Sequence, residues 1–288
     1  AYMALPTAVR SLALFYNERL FDAAGIDGPP ATLDELVEPA KALTKKDGAG
    51  NITQVGITSG MTGQDHHWFR EVLVRQFGGD PYVDGYQTVN YNTDAGRMAL
   101  EYYTDLEKTH EVTALGFMDE AQAAFKAGRA GMHIDGSFRI GALDKVRGLK
   151  WGVTELPAGP DGTKSNYSSY WVNAITTKAE AEKYEAAVKF MDYITSDAAM
   201  QVWLDTVGEL PAKPSVGLTG ANSSHPVYGP FIRGLEYANT TIFANESAQR
   251  QVLVDMVSRT DLEGQSIADS LAAAAAEEQG ILDEYYTD

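Results

Sequence analysis

The sequence contains no cysteine among its 288 residues, so it forms neither disulfide bonds nor thiolate metal sites. It also lacks an uninterrupted apolar run of about 18 residues, the length that a membrane-spanning helix requires. Even the alanine-rich run from Leu271 to Ala276 ends in two glutamates. No secretion signal is recognisable at the first residues. These absences exclude a disulfide scaffold and a transmembrane helix, and they leave the compartment open.

Basic residues are few, with 23 Lys and Arg against 40 Asp and Glu and a net charge of −17. A charge of this sign repels phosphate backbones and anionic lipid surfaces at long range, so the sequence predicts no nucleic-acid partner. The hydrophobic content of 44% over this length is sufficient for two compact units.

Catalytic motifs are also missing. The sequence has no GxSxG nucleophile, no P-loop and no dinucleotide fingerprint, which favours a protein without enzymatic activity and without a cofactor. Acidic residues are numerous enough for a glycosidase pair. Their abundance is expected on a strongly acidic surface, however, and a sequence does not give the carboxylate separation that such a mechanism requires. A carbohydrate-active hydrolase therefore stays an alternative.

Two segments resemble metal sites only weakly. His66 and His67 are adjacent, and adjacent side chains on a regular element point apart; no third ligand follows at a supportive spacing. The segment from Asp80 to Gly85 is similar to a calcium loop, but it contains a proline and lacks the final glutamate. We therefore predict that neither segment binds a metal. The two histidines are expected to lie in a polar loop beside a pocket.

Helical and strand patterns alternate along the chain. A capping box at Thr32 to Glu35 starts a helix that continues to Leu43 with one apolar face. Gly128 ends another helix, because glycine tolerates the left-handed conformation of a C-terminal cap. The further predicted elements are strands at 54–59, 151–156 and 170–177, helices at 92–109, 119–127, 178–195 and 198–207, and a mainly helical region at 226–286. This alternation predicts an α/β architecture.

Several aromatic residues lie in predicted loops or beside strand ends, and they share a possible role in stacking on a sugar ring: Tyr16, Trp68, Phe138, Tyr170 and Trp171. Stacking an aromatic face on about 100 Å² of sugar surface contributes on the order of 2 kcal/mol. Nearby polar side chains could bond the hydroxyl groups, namely Gln64, Asp135, Ser137 and Asn166. The alternative for each ring is an ordinary half-buried core position.

Five segments, in this order, resemble carbohydrate-type extracellular solute-binding proteins of ABC importers. They are LPTAVRSLALFYNERLFDAAGIDGPPATLDELVEPAKALT (5–44), QFGGD (76–80), AFKAGRAGMHIDGSF (124–138), YWVNAITTKAEAEKYEAAVKFMDYITSDAAMQVW (170–203) and GELPAKPS (208–215). The resemblance implies a type II periplasmic-binding-protein-like fold, similar to maltose-binding protein, with two α/β lobes and a ligand cleft between them.

The same resemblance implies positions for the ligand-binding residues. Phe138 stands at a turn where the family commonly has a tryptophan that stacks on sugar. Gln64, His66, His67 and Trp68 match a loop that lines the cleft. Tyr170 and Trp171 match the return to the first lobe, and Asp135 and Ser137 flank the Phe138 turn. Arg10 falls at the first crossover between lobes, where a side chain often reaches the ligand.

The resemblance also implies a role and a domain arrangement. The expected protein captures a mono- or oligosaccharide outside the membrane, is secreted and lipid-anchored or periplasmic, delivers its ligand to permease subunits and is monomeric when full-length. A metal or polyamine binder of the same fold is the other alternative. We expect a C-terminal lobe at 7–165 and 224–288, and a remnant of the first lobe with the hinge at 1–6 and 166–223. Helices at 178–207 would then expose apolar faces.

Overall fold

The computed structural model describes residues 4–287. Residues 1–3 of the predicted 1–6 segment, and residue 288 of the predicted 224–288 segment, lie outside the described residues. No helix between residues 4 and 287 combines the length and the apolar character needed to cross a bilayer.

The strands fall into one large sheet and one hairpin. In chain order they are β1 (Leu5–Asn17), β2 (Lys45–Lys46), β3 (Ile52–Ile57), β4 (Tyr82–Val83), β5 (Thr88–Val89), β6 (Ala130–Gly136), β7 (Trp151–Thr154), β8 (Asn166–Asn173), β9 (Leu210–Pro211) and β10 (Ala238–Asn239). The large sheet has the order β10-β8-β1-β6-β3-β2, with β7 and β9 also paired to β1. β4 and β5 form the separate hairpin.

Strand β1 organises the large sheet because it pairs with four other strands. Its first half pairs antiparallel with β8 and β9, and its second half pairs antiparallel with β6 and β7. In the second half, Leu12 and Leu14 pack into one hydrophobic cluster, whereas Ala13 and Phe15 pack into the other. β1 is therefore buried on both faces and connects the two parts of the sheet.

The helices alternate with these strands along the chain, and the last two of them end it. They are α1 (Glu18–Ala24), α2 (Leu33–Leu43), α3 (Asp65–His67), α4 (Val74–Gln76), α5 (Asp94–Lys108), α6 (Ala121–Lys126), α7 (Ile140–Leu143), α8 (Ala181–Ile194), α9 (Asp197–Val207), α10 (Pro214–Gly217), α11 (Gly220–Ser223), α12 (Gly229–Gly234), α13 (Glu246–Asp261) and α14 (Ile267–Thr287). A π-helix at Trp68–Leu73 connects α3 to α4.

Most of the predicted elements are confirmed, with small shifts at their ends. Thr32 caps α2 by accepting a hydrogen bond from the Glu35 backbone N–H, as the capping box predicts. Gly128 follows α6 with φ of 65°, in the left-handed region. The strand predicted at 170–177 begins four residues earlier, as β8. The sequence analysis did not assign β1 as a strand.

Large apolar side chains are exposed on β8, α8 and α9. Phe190 and Tyr193 are 62% and 68% exposed, and Val202 and Trp203 are exposed on the neighbouring helix. This confirms the expected apolar faces of the helices at 178–207. Contiguous exposed apolar surface promotes association between molecules.

We expect this chain to self-associate through the exposed apolar surface of α8 and α9, and a charge introduced on α8 to weaken this association. Because burial of a phenylalanine contributes about 1.5–3 kcal/mol, Phe190→Glu should weaken self-association about tenfold or more in analytical ultracentrifugation. Leu262→Glu is the matched control, because Leu262 is 74% exposed and directly follows α13, which packs against α3, α5 and α14. Equal association of the two variants would contradict the assignment of this surface.

Candidate ligand-binding site

A pocket of about 430 Å³ opens where β1 and β8 approach the segment before α13. Its walls combine aromatic rings with hydroxyl, amide and charged groups, and the lining residues are Arg10, Gln64, His67, Phe138, Tyr167, Ser169, Tyr170, Trp171, Thr240, Thr241, Phe243 and Glu246. Small-molecule sites combine aromatic side chains with oriented polar groups, and in this pocket the two kinds of residue are equally numerous.

Arg10 lies between two of the predicted stacking residues. Its guanidinium carbon is 4.6 Å from the centre of the Phe138 ring and 4.8 Å from that of Trp171. Glu209 accepts two hydrogen bonds from this guanidinium, one of them from Nε at 3.1 Å. The ion pair and the two cation–π contacts hold Arg10, Phe138 and Trp171 as one group.

Local backbone geometry explains these positions. Arg10 pairs with Ser169 across the β1–β8 ladder, so Trp171, two residues further along β8, projects from the same face of the sheet. Gly136 ends β6, and a Cβ at this position would lie 2.3 Å from Cε1 of Phe138. Glycine at 136 therefore allows the Phe138 ring to fold back toward the pocket.

His67 and Tyr167 form another wall of the pocket. Their rings are parallel within 9° and their centres are 3.6 Å apart. Burial lowers the pKa of His67 well below its usual value, so this imidazole is neutral at physiological pH. Burial also raises the pKa of Tyr167 to about 12, and its hydroxyl stays protonated. This wall is therefore uncharged and stacked.

Trp68 does not reach this pocket, and the placement expected for it is wrong. The segment is helical rather than a loop, and its π-helix begins at Trp68. The indole is 1% exposed in the core and makes edge contacts with Tyr102 and Tyr103, at 6.4 Å and 5.9 Å between ring centres. Trp68 is a packing residue here. Gln64 and His67, from the same predicted loop, do line the pocket.

Asp135 and Ser137 also lie away from this pocket. Asp135 lines a smaller cavity of about 190 Å³ together with Gln64. Its carboxylate accepts hydrogen bonds from Arg139 Nε at 2.6 Å and from His133 Nε2 at 3.1 Å. Although burial raises the pKa of Asp135, the bond from His133 and the nearby positive charges offset this and lower it overall. Ser137 is completely buried.

Asn166, considered as a partner for sugar hydroxyls, has a structural role. Its amide side chain accepts from the backbone N–H of Leu12 at 3.0 Å and donates to the Leu12 carbonyl at 2.8 Å. Both groups of the buried side chain are thus used to join β8 to β1.

The two sequence-based arguments against a metal site at His66 and His67 are wrong. The rings of His66 and His67 do not point apart, since their centres are 3.7 Å apart. A carboxylate far away in the sequence, that of Glu246 at the start of α13, supplies a third possible ligand: the three ligand atoms all lie within 4.8 Å of one another. His66 itself is 1% exposed and does not line the pocket.

Sequence reasoning missed several lining residues, among them Tyr167, Phe243 and Glu246. Phe243 contacts the His67 ring edge-on at 5.8 Å between centres. Tyr167 lies three residues before Tyr170, in a stretch that was not assigned to a strand. Phe243 and Glu246 carry no motif, and only the tertiary packing of the chain before α13 brings them to the pocket.

Solved structures with the same fold are two-lobed binding proteins of the type II periplasmic class, which confirms the predicted fold. The cyclic α-maltosyl-1,6-maltose binding protein of Arthrobacter globiformis has a TM-score of 0.80 and 22% identity, with 98% of this chain and 72% of that chain covered. The maltose-bound MalE3 of T. maritima has a TM-score of 0.75 and 24% identity, with 97% and 72% covered. Part of each of those chains therefore has no counterpart here.

The family assignment follows from the sequence. Residues 1–227 match the model of the bacterial extracellular solute-binding proteins, and the chain belongs to this family.

Curated relatives match part of the chain. A binding protein of Brucella abortus (strain 2308) is 26% identical over 194 residues, which cover 66% of this chain and 46% of that protein. An ABC transporter-binding protein of Deinococcus radiodurans is 26% identical over 206 residues, which cover 67% and 47%. The chain thus spans about half the length of the curated relatives it matches.

Proposed function

We propose that this chain is the ligand-binding part of an ABC importer's substrate-binding protein and that it captures a mono- or oligosaccharide. The group formed by Arg10, Phe138 and Trp171 in the lining of the 430 Å³ pocket carries the proposal. The guanidinium groups of Arg10 and Arg139 already lie over the Phe138 ring, at 4.6 Å and 5.3 Å, whereas Trp171 is 55% exposed and keeps ring surface open beside Arg10. An exposed aromatic surface next to a charged donor suits a ring with an apolar C–H face and polar edges. Family membership and the sugar-binding neighbours favour binding over hydrolysis.

The polar groups of the pocket would bond the hydroxyl groups of the sugar. Gln64, Ser169 and Thr240 offer an amide and two hydroxyls at the pocket wall. A sugar hydroxyl that leaves water needs such partners, since an unpaired buried polar group costs about 1–3 kcal/mol. Arg10 is held by Glu209, so the N–H groups that Glu209 leaves free have a fixed direction.

The proposed role places the protein outside the cytoplasmic membrane, secreted and lipid-anchored or periplasmic, with permease subunits as its partners. In a two-lobed protein, a ligand that contacts both lobes shifts an open–closed equilibrium toward the closed form. We propose a lobe at 7–165 and 224–288, with 1–6 and 166–223 belonging to the other lobe and the hinge. The chain would then pass between the two lobes within β1 and β8, and Arg10 and Trp171 lie on these strands.

Saccharide binding should depend on Trp171. Because this indole is 55% exposed, its stacking contribution falls at the lower end of the usual range, and Trp171→Ala should weaken saccharide binding about tenfold. Tryptophan fluorescence titrations with maltose, a longer maltodextrin and a monosaccharide measure the effect.

Trp203→Ala is the matched control, because Trp203 is similarly exposed on α9 and does not line the pocket. The control should bind saccharide as the unmodified chain does. Equal affinities of the two variants would exclude Trp171 from the site. If none of the tested saccharides gave a saturable signal, the proposed ligand class would be contradicted.

A further inference from the structure

The geometry points to a transition-metal site of the Zn²⁺ class formed by His66, His67 and Glu246 at the wall of the pocket. This site is independent of saccharide stacking, since it uses nitrogen and carboxylate ligands rather than aromatic faces. Two of its residues, His67 and Glu246, also line the pocket.

The three side chains converge from two separate parts of the chain. His66 and His67 lie on α3, directly before the π-helix, and Glu246 is the first residue of α13. Their ligand atoms all lie within 4.8 Å of one another. Zinc–nitrogen and zinc–oxygen bonds of about 2.0–2.2 Å place ligand atoms somewhat over 3 Å apart in a tetrahedral site, so small side-chain rotations would complete the geometry.

Both imidazoles have a buried nitrogen atom that is free to bind a metal. His66 is 1% exposed and His67 is 5% exposed, and the Nδ1 atom of each has no hydrogen-bond partner. An unpartnered buried polar atom is costly, and coordination would remove this cost.

The positive charges of two nearby arginines oppose the binding of a cation at this position. Arg70 is compensated by Glu278, with 3.0 Å between Nη2 and Oε1. Arg250 is paired with Glu246 itself, with 2.8 Å between Nη2 and Oε1. A metal therefore competes with Arg250 for the carboxylate, and removal of the Arg250 charge should strengthen metal binding.

The ligand set favours zinc over harder cations. Two imidazoles and one carboxylate are the protein ligands of zinc sites that keep a position open for water or another molecule, whereas Mg²⁺ and Ca²⁺ prefer oxygen ligands only. Because His67 and Glu246 line the pocket, the open position is expected to face it. A ligand oxygen in the pocket could then bind the metal directly.

The test is a calorimetric titration of the chelator-treated chain with ZnCl₂, without saccharide, supported by the visible absorption of bound Co²⁺. We expect one equivalent of Zn²⁺ with a dissociation constant on the order of 1 μM. Glu246→Gln, an exposed position that the fold tolerates, should weaken binding about 100-fold, and His67→Gln should do the same. Arg250→Gln should strengthen binding several-fold.

Matched controls separate this site from nonspecific binding. Glu263→Gln and His110→Gln remove the same ligand types elsewhere and should leave the Zn²⁺ affinity unchanged. Absence of binding, or equal affinities of Glu246→Gln and Glu263→Gln, would overturn the proposal. Saccharide binding is measured separately, on the metal-free chain. Failure of the zinc proposal is therefore distinguishable from failure of the saccharide proposal.

Discussion

Replacing Glu278 by alanine should lower the free energy of unfolding by about 3–5 kcal/mol, because the change leaves the buried charge of Arg70 without its partner. Both side chains are completely buried, and the Arg70 Nη2 atom is 3.0 Å from Glu278 Oε1. Although burial lowers the pKa of Arg70, the charge of Glu278 and of its neighbours raises it overall, so the guanidinium remains charged.

Glu278 also accepts hydrogen bonds from three other buried donors. Gln249 Nε2 donates at 2.9 Å, the Tyr91 hydroxyl donates at 2.9 Å, and the Tyr82 hydroxyl donates to Oε1. Truncation would leave all of these donors unpaired in the interior. The network joins the π-helix, the β4–β5 hairpin region, α13 and α14, so its loss should loosen the wall that carries His66 and His67.

Urea unfolding monitored by circular dichroism measures this effect. The control is Glu101→Ala, which removes a half-exposed carboxylate paired with Arg97 at the i,i+4 position of α5 and should change the urea midpoint little. The double variant Arg70→Met with Glu278→Ala should be more stable than the sum of the single changes predicts, because the Arg70 charge is then removed together with its partner. A Glu278→Ala midpoint equal to that of Glu101→Ala would contradict the role of the network.

The second large effect is a dependence of the free energy of unfolding on pH, caused by the buried carboxyl group of Asp65. This buried carboxyl accepts hydrogen bonds from the Tyr103 hydroxyl and from the Gly60 N–H, both at 2.8 Å. Burial nevertheless raises the pKa of Asp65 from 3.8 to about 6. Between these two values the folded chain binds a proton that the unfolded chain has released.

The stabilisation from this proton is complete below pH 3.8 and is lost as the pH rises to about 6. The difference in pKa corresponds to a change of roughly 3 kcal/mol in the free energy of unfolding. Asp65→Asn carries no charge at any pH and its amide oxygen can still accept both bonds. Relative to the unmodified chain, this variant should therefore become more stable as the pH rises from 4 to 7.

Urea unfolding of both chains at several pH values between 4 and 7 provides the comparison. Asp161→Asn is the control, because hydrogen bonds from Thr163 lower rather than raise the pKa of this exposed carboxyl. Its stability relative to the unmodified chain should not rise over the same interval. A flat difference for Asp65→Asn would show that Asp65 titrates normally in the folded chain.

Local patterns predicted many elements of the fold. The capping box of α2, the glycine after α6 and the helical spacing of residues in α5 depend on contacts within a few residues, which a sequence displays directly. β1 was missed because its second half is buried on both faces, which removes the alternation of apolar and polar residues that indicates a strand. The first residues of β8 include the polar Asn166, Ser168 and Ser169, so the sequence pattern did not indicate a strand there.

The candidate site could be predicted only in part, because it combines residues from distant parts of the chain. The resemblance to solute-binding proteins indicated Phe138 and Trp171, and their contacts with Arg10 bring them together. Trp68 was misplaced because nothing in the local sequence indicates the π-helix that turns it into the core. Glu246 and Tyr167 reach the pocket through long-range packing, which no local pattern encodes.

The central claim is that the pocket at Arg10, Phe138 and Trp171 binds a saccharide. Isothermal calorimetry of the metal-free chain against monosaccharides, maltose and longer maltodextrins tests it most directly. We expect saturable heat with at least one saccharide, strongly reduced in Trp171→Ala and retained in Trp203→Ala. No heat with any saccharide, or the same heat in both variants, would contradict the account.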